Sequence, residues 1–426
     1  MLAPGGRAAG IARRRIRPRP LRKHMHMALP MKPISGLIEL CPPNPACSCL
    51  QHLFSATTRT HTQKDKSFYL CVTISDLSKY RNLFIIKDMA KKQDLQKAYE
   101  TGYISEEDKT LIEEYNQRLT QNGVPIIYNL RHLRQLLGIR KSSQERLFGE
   151  KRSESYRTFQ IPKKSGGTRT IEAPSDELKK IQLWIKENIL DKFHPSQYAK
   201  GFKKGVSIYD NALPHVGKEL VINIDLKDFF PSIKYSEIYK IFKYIGYTDG
   251  VSKLLTKLCT NPKYVLPQGS PASPSLSNLV SLKLDKRLSK LANAIGADYT
   301  RYADDITFSG KATISQYVDL MRKIIFEEKY EVNEDKFRLQ YNFQRQEVTG
   351  LVVNTKVSVS EKLISEIENA IYYCTKYGVI NHMARMKIDK GFYKEHLYGI
   401  AYFVKMVDKV KGEKYLSQLD KIDWPI

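Results

Sequence analysis

The chain of 426 residues carries 70 Lys and Arg against 45 Asp and Glu, a formal net charge of +25. Its length excludes a single small domain and suggests about two to four structural units. The best apolar candidate, residues 68–86, is broken by Asp76, Lys79 and Arg81, well short of the roughly 18 uninterrupted apolar residues that a membrane span needs.

The charge is unevenly spread. Residues 1–88 hold fifteen Lys and Arg but four Asp and Glu, leaving +14 on the rest. A body this basic points to an anionic polymer, with nucleic acid as the default partner. Of six cysteines, Cys41, Cys47, Cys49 and Cys71 fall in this first segment. The body therefore has no disulfide framework and reads as cytosolic. The spacing of Cys47 and Cys49 is wrong for a zinc knuckle.

Residues 1–88 read as a foreign Arg-rich extension, disordered or not translated. Its first acid is Glu39, seven Arg precede residue 23, and no periodicity is clear. A patterned protein begins at Met89, and residues 89–155 are expected to be helical. Ser105 with Asp108 resembles a capping box. The stripe Leu111, Ile112, Tyr115 and Leu119 follows and stops at Asn122-Gly123. Leu130, Leu133, Leu136 and Leu137 form a second stripe, ended by Gly138. Residues 156–172 read as a β-hairpin around the turn Lys163-Lys164-Ser165-Gly166-Gly167, followed by a helix over 175–190. Strands alternate with helices from 220 to 353, which predicts an α/β sheet domain. Beyond Ser360 the pattern is helical again, with stripes at Leu363, Ile364, Ile367, Ile371 and from Ile400 to Val410.

The chemistry concentrates in the α/β stretch. The apolar run Leu220-Val221-Ile222-Asn223-Ile224 ends in Asp225, and Thr300-Arg301-Tyr302-Ala303-Asp304-Asp305-Ile306 places two adjacent carboxylates at a turn between short strands. Three converging Asp side chains repel one another unless cations neutralise them. Mg²⁺ takes hard oxygen ligands and keeps room for substrate phosphates. Two such ions roughly 3.5–4 Å apart stabilise the attacking and leaving oxygens of a phosphoryl displacement. Asp225 and Asp304 are the expected bridging ligands and Asp305 a supporting one, which makes nucleotidyl transfer the leading chemistry.

Further blocks stand in a fixed order around these acids. Leu226-Lys227-Asp228-Phe229-Phe230 follows Asp225. Leu266-Pro267-Gln268-Gly269-Ser270-Pro271 comes next, and Asn333-Glu334-Asp335-Lys336 and Val348-Thr349-Gly350-Leu351 follow the twin acids. With them the chain resembles a reverse transcriptase over residues 156–353. Asn211-Ala212-Leu213-Pro214-His215 and Val348-Thr349-Gly350 narrow the resemblance to the retron type.

The resemblance implies a right-hand polymerase, an α/β palm with fingers and helical thumb after N-terminal helices. Fingers and palm would span 156–355 and the thumb 356–426. It implies an RNA-directed DNA polymerase, cytoplasmic and bacterial, using two Mg²⁺ ions for which Mn²⁺ can substitute. Its partners would be dNTPs, its own structured non-coding RNA as template and primer, and the DNA product. That product would be a branched RNA–DNA molecule, msDNA. A defence effector protein would be a further partner in anti-phage action. The segment after Gly350 is expected to be too short for an RNase H domain, so host RNase H would remove the template.

Residue by residue, Lys163, Lys164 and Arg169 are expected to clamp the triphosphate. Phe230 would sit under the sugar and exclude a 2′-hydroxyl. Gln268 and Gly269 would approach the incoming nucleotide, and Lys336 would protonate the pyrophosphate leaving group or serve as a surface lysine. Asn211 and His215 are expected to hold the RNA or order the loop that does, and Val348, Thr349 and Gly350 to form the primer-gripping region. Tyr372, Tyr373, Tyr393, Tyr398, Tyr402 and Phe403 can stack on bases or pack the thumb. Two alternatives stay open. One is another prokaryotic reverse transcriptase, from a group II intron, a diversity-generating element or an abortive-infection system. The other is a non-catalytic RNA-binding relative.

Overall fold

The computed structural model describes residue 96 and residues 99–102, 104–162, 167–388 and 391–425. The extension 1–88 lies outside them, as do Lys163 and Lys164 in the turn of the first hairpin. No described helix is long and apolar enough to cross a membrane.

Helix α1 (Glu106–Gln121) opens with the expected capping box. The Ser105 hydroxyl accepts from the Asp108 N–H, the Asp108 carboxylate accepts from the Ser105 N–H, and the cap at the other end is Asn122. Its buried face is Ile112, Tyr115 and Leu119, whereas Leu111 lies outside that face. Helix α2 (Leu130–Leu137) closes on Gly138 at φ +64°, a left-handed cap that only glycine adopts freely. Leu133 is its buried residue and Leu136 is exposed. Strands β1 (Tyr156–Pro162) and β2 (Thr168–Pro174) pair antiparallel as predicted. Helix α3 (Asp176–Asn188) follows, capped by Ser175.

Four antiparallel strands form the central sheet: β3 (Leu220–Asp225), β4 (Asp298–Tyr302), β5 (Asp305–Gly310) and β6 (Arg338–Tyr341), in the order β4-β5-β3-β6. Longer helices flank them in sequence. They are α4 (Tyr235–Ile245), α5 (Asp249–Cys259), α6 (Ser273–Val280), α7 (Leu282–Ala294) and α8 (Val318–Glu327). The unbroken apolar run of β3 has a physical reason. Successive side chains point to opposite faces, and both faces are covered. Leu220, Ile222 and Ile224 enter the main core, which also takes in α1, α2 and α3. Val221 belongs to a second cluster with Ala212, Val348, Leu351 and Val353. That cluster seats the hairpin β7 (Glu347–Val348) and β8 (Leu351–Val352), whose turn residues Thr349 and Gly350 have φ of +48° and +84°.

The C-terminal helices α9 (Glu361–Tyr377), α10 (Val379–Arg385), α11 (Tyr393–Val407) and α12 (Lys409–Leu419) share a separate core around Ile367, Ile371, Leu397, Ala401 and Val404. The stripe expected to run on from Ile400 to Val410 is split. Asp408 leaves helical geometry at φ −131° and ψ 97° and caps α12. Val410 therefore falls on a new helix and is 80% exposed. The aromatics of these helices divide in the same way: Tyr393 is buried, while Tyr372, Tyr373 and Tyr402 are exposed.

Candidate active site

Register brings the acids together. Asp225 is the last residue of β3, and its cross-strand partner is Asp305, the first residue of β5. Tyr302 pairs with Asp305, so Ala303 and Asp304 form a two-residue turn between β4 and β5. Ala303 takes φ +60°, the positive value a tight hairpin demands and one that a residue with a Cβ adopts at a cost. The turn is tied to β3, because Leu226 N–H donates to the Asp304 carbonyl at 3.0 Å.

The carboxylates repel one another. Loss of hydration and then the charges of Asp304 and Asp225 push the Asp305 pKa up to about 7. Asp305 nonetheless keeps an exposed surface. Burial is also the chief cause that raises Asp304, with Asp225 adding to it and Lys336 and Arg169 opposing. Asp225 is buried and better provided. Asn333 donates to its Oδ1 at 2.9 Å, and the Lys336 ammonium lies 2.9 Å from its Oδ2. Among the described residues, no three His, Cys, Asp or Glu side chains are already closed around one point as a metal cage. The donor set still fits a hard divalent cation, because it offers carboxylate oxygens whose mutual repulsion a cation would relieve.

The turn is held from behind by a residue that sequence reasoning did not single out. Arg301, fully buried on the core face of β4, donates from Nε to Asp285 Oδ1 at 2.7 Å and from Nη2 to Asp285 Oδ2 at 2.8 Å. It also donates to the Ala303 carbonyl at 3.0 Å and to Asn278 Oδ1 at 3.2 Å. A charge on the inward face of a strand was the available signal, since such a charge needs a buried partner. Asn333, in the block Asn333-Glu334-Asp335-Lys336, is a second residue whose role shows only in its bond to Asp225.

The remaining candidates take several positions. Arg169 is exposed on β2, within electrostatic reach of Asp304. Phe230 is half-buried beside Phe202 and Phe229. Gln268 is half-buried and its carbonyl accepts from Glu172 N–H at 2.9 Å. Gly269, at φ +140°, lies so close to β2 that a Cβ would stand 2.7 Å from the Glu172 carbonyl. Its need for glycine therefore comes from that strand, a reason distinct from the expected approach to a nucleotide.

The Asn211 and His215 side chains are both fully buried. His215 lies between Ser309 Oγ at 2.7 Å and Thr300 Oγ1 at 2.8 Å. It thereby ties β4 to β5 on the face that carries Asp225 and Asp305. Burial drives its pKa down to about 4, so it is neutral there. Asn211 donates to Thr349 Oγ1 at 3.3 Å. Val348 is fully buried, which leaves Thr349 and Gly350 as the more open part of the β7–β8 hairpin.

Comparison with known proteins agrees with this geometry. A family model described as reverse transcriptase (RNA-dependent DNA polymerase) matches residues 161–360. The fold is an α/β polymerase fold and the chain is an RNA-directed DNA polymerase. The retron Ec86 reverse transcriptase of Escherichia coli is 34% identical over 313 residues, covering 72% of this chain and 93% of that protein. The retron Mx162 reverse transcriptase of Myxococcus xanthus is 33% identical, covering 72% of this chain and 70% of that protein. The retron Mx65 enzyme of the same organism is 35% identical, covering 62% of this chain and 64% of that protein. The chain belongs to the retron reverse transcriptase family. Such enzymes generally use divalent metal ions, and RNA template and dNTPs are the implied substrates.

Proposed function

We propose that this chain binds a structured non-coding RNA of its own and copies part of it into DNA joined to that RNA as a branch. The observation that carries this reading is the junction of Asp225, Asp304 and Asp305 at the end of β3 and the β4–β5 turn, in a chain of the retron family. Asp225 and Asp304 would hold two Mg²⁺ ions, or Mn²⁺ in their place, with Asp305 in support. The ions supply charge stabilisation for the attacking and leaving oxygens of in-line displacement.

The chain's own groups do the rest. Arg169, with Lys163 and Lys164, orients the triphosphate. Gln268 and Gly269 line the nucleotide's approach from the loop tied to β2. Phe230 excludes a 2′-hydroxyl, and the Lys336 ammonium carries the proton that the pyrophosphate needs. Asn211 and His215 act from the interior, ordering the sheet face beneath the acids. The open turn at Thr349-Gly350, backed by Val348, grips the primer. We assign fingers and palm to residues 156–355 and the thumb to 356–426. Host RNase H removes the template, and the DNA product works with an effector protein in defence against phage.

The test uses nucleic acid that co-purifies with the protein from its native locus, treated with RNase and then with a debranching enzyme. A short single-stranded DNA whose mobility shifts on debranching is expected; RNA with no attached DNA would overturn the branched-product reading. Asp304→Asn is expected to abolish DNA synthesis while RNA affinity stays within about threefold, because phosphate contacts dominate affinity. Retained synthesis in that variant would sink the assignment of the metal ligands.

A further inference from the structure

The ring of Phe230 has an unusual neighbour. Phe202 packs against it, with ring centroids 6.0 Å apart, and Phe229 is a second ring at 5.5 Å. Phe229 belongs to the buried core, but Phe202 is 44% exposed. Its backbone sits at φ +60°, a region that bulky side chains rarely enter. Core packing does not explain an exposed aromatic ring held in that conformation.

The fold fixes the segment Lys200-Gly201-Phe202 from several sides. Lys200 N–H donates to the Arg301 carbonyl at 2.7 Å. Asn278 Nδ2 donates to the Gly201 carbonyl at 3.0 Å. Gly201 lies so near the acidic turn that a Cβ there would stand 2.6 Å from Ala303 N. Asn278 also accepts from Arg301, which in turn donates to the Ala303 carbonyl. One hydrogen-bonded unit therefore carries both the turn bearing Asp304 and the ring of Phe202.

We propose that Phe202 is a positioning residue for sugar selection: by packing against Phe230 it holds that ring in place and so sets the discrimination between deoxyribo- and ribonucleoside triphosphates. The proposal rests on reading Phe230 as the ring that meets the sugar. Steric exclusion of one hydroxyl requires a wall that cannot tilt away, and densely packed neighbours make a wall stiff. Small displacements at a reacting centre have large consequences for rate.

The experiment is single-nucleotide incorporation by the full chain on a primed RNA template, comparing kcat/KM for dCTP and CTP opposite the same guanine. Phe202→Ala and Phe202→Gly are each expected to raise relative use of CTP by about tenfold, the scale on which pocket contacts discriminate. Phe202→Tyr, which keeps the ring, is expected to stay near the parent ratio. The Gly variant separates ring from backbone, because glycine adopts φ +60° freely. A parent-like ratio in Phe202→Gly would overturn the proposal, as would an equal loss of dCTP and CTP use. Phe230→Ala is the reference. If it relaxes discrimination and Phe202→Gly does not, the proposal fails and the role of Phe230 stands. If Phe230→Ala leaves the ratio unchanged, the sugar-facing reading fails and the proposal falls with it. Should the small variants not fold, Phe202→Leu carries the test: a raised ratio supports the proposal and a parent-like ratio overturns it.

Discussion

Arg301 joins stability to chemistry through one guanidinium. Its fork satisfies both oxygens of Asp285 and still reaches the Ala303 carbonyl in the acidic turn. Removing one member of a buried ion pair typically costs about 3–5 kcal/mol, while replacing both by apolar groups is often neutral. Arg301→Lys is therefore expected to lose about 3 kcal/mol in denaturant unfolding and most of its single-turnover rate. The double variant Arg301→Met, Asp285→Leu is expected to regain part of the stability, because the buried Tyr299 hydroxyl loses its acceptor on Asp285, but not the rate, since the turn still lacks its donor. A rate that recovers together with stability would remove Arg301 from the positioning of Asp304. His215 gives a different signature at the same scale. Its folded pKa of about 4 lies below its ordinary 6.5, chiefly through burial, with Asp298 opposing and Lys218 and Lys200 adding. The neutral form is the folded form, so its contribution is present above pH 6.5 and is lost as pH falls toward 4. Full loss amounts to about 3 kcal/mol. Melting temperatures between pH 7 and 4 are expected to fall less steeply in His215→Gln than in the parent; identical slopes would place the acid sensitivity elsewhere.

Among the elements, the contact between strand β2 and the segment before α6 turns on the loop at Gln268-Gly269. Glu172 on β2 donates to the Gln268 carbonyl, and Gly269 admits the strand at a distance no Cβ allows. Gly269→Ala must push this loop away from β2, and its φ of +140° adds strain. The expected result is a dNTP KM raised by about tenfold with a smaller change in kcat, the pattern of lost ground-state binding. A large fall in kcat at unchanged KM would show that the loop serves the chemical step instead. The C-terminal helices have a core of their own, while Phe403 and Val407 of α11 also pack on the Val221 cluster, and the break at Asp408 shows how one polar cap divides what the apolar spacing presents as a single helix.

For the whole molecule, charge governs encounter with RNA. Beyond residue 88 the chain retains a net +14, and each phosphate contact made by Lys or Arg releases counterions. RNA affinity is expected to fall linearly with salt on logarithmic axes, by on the order of a thousandfold between roughly 50 and 200 mM. A flat response, read by filter binding across that range, would exclude the basic body as the RNA surface.

By itself the sequence determined most of the elements and where along them the acids fall. Capping residues, hairpin glycines and apolar period are local properties, so α1, α2, the β1–β2 hairpin and the strand ending in Asp225 could be read before any folding. The order of the motif blocks carried the family in the same way. Tertiary structure alone decided the partners. That His215 and Asn211 lie inside, that Arg301 holds the turn, that Asn333 faces Asp225 and that Phe202 meets Phe230 all depend on register and on contacts between segments far apart in the chain. The spacing of residues along a strand fixes which face a side chain takes, but not what covers that face, and burial is set by the covering.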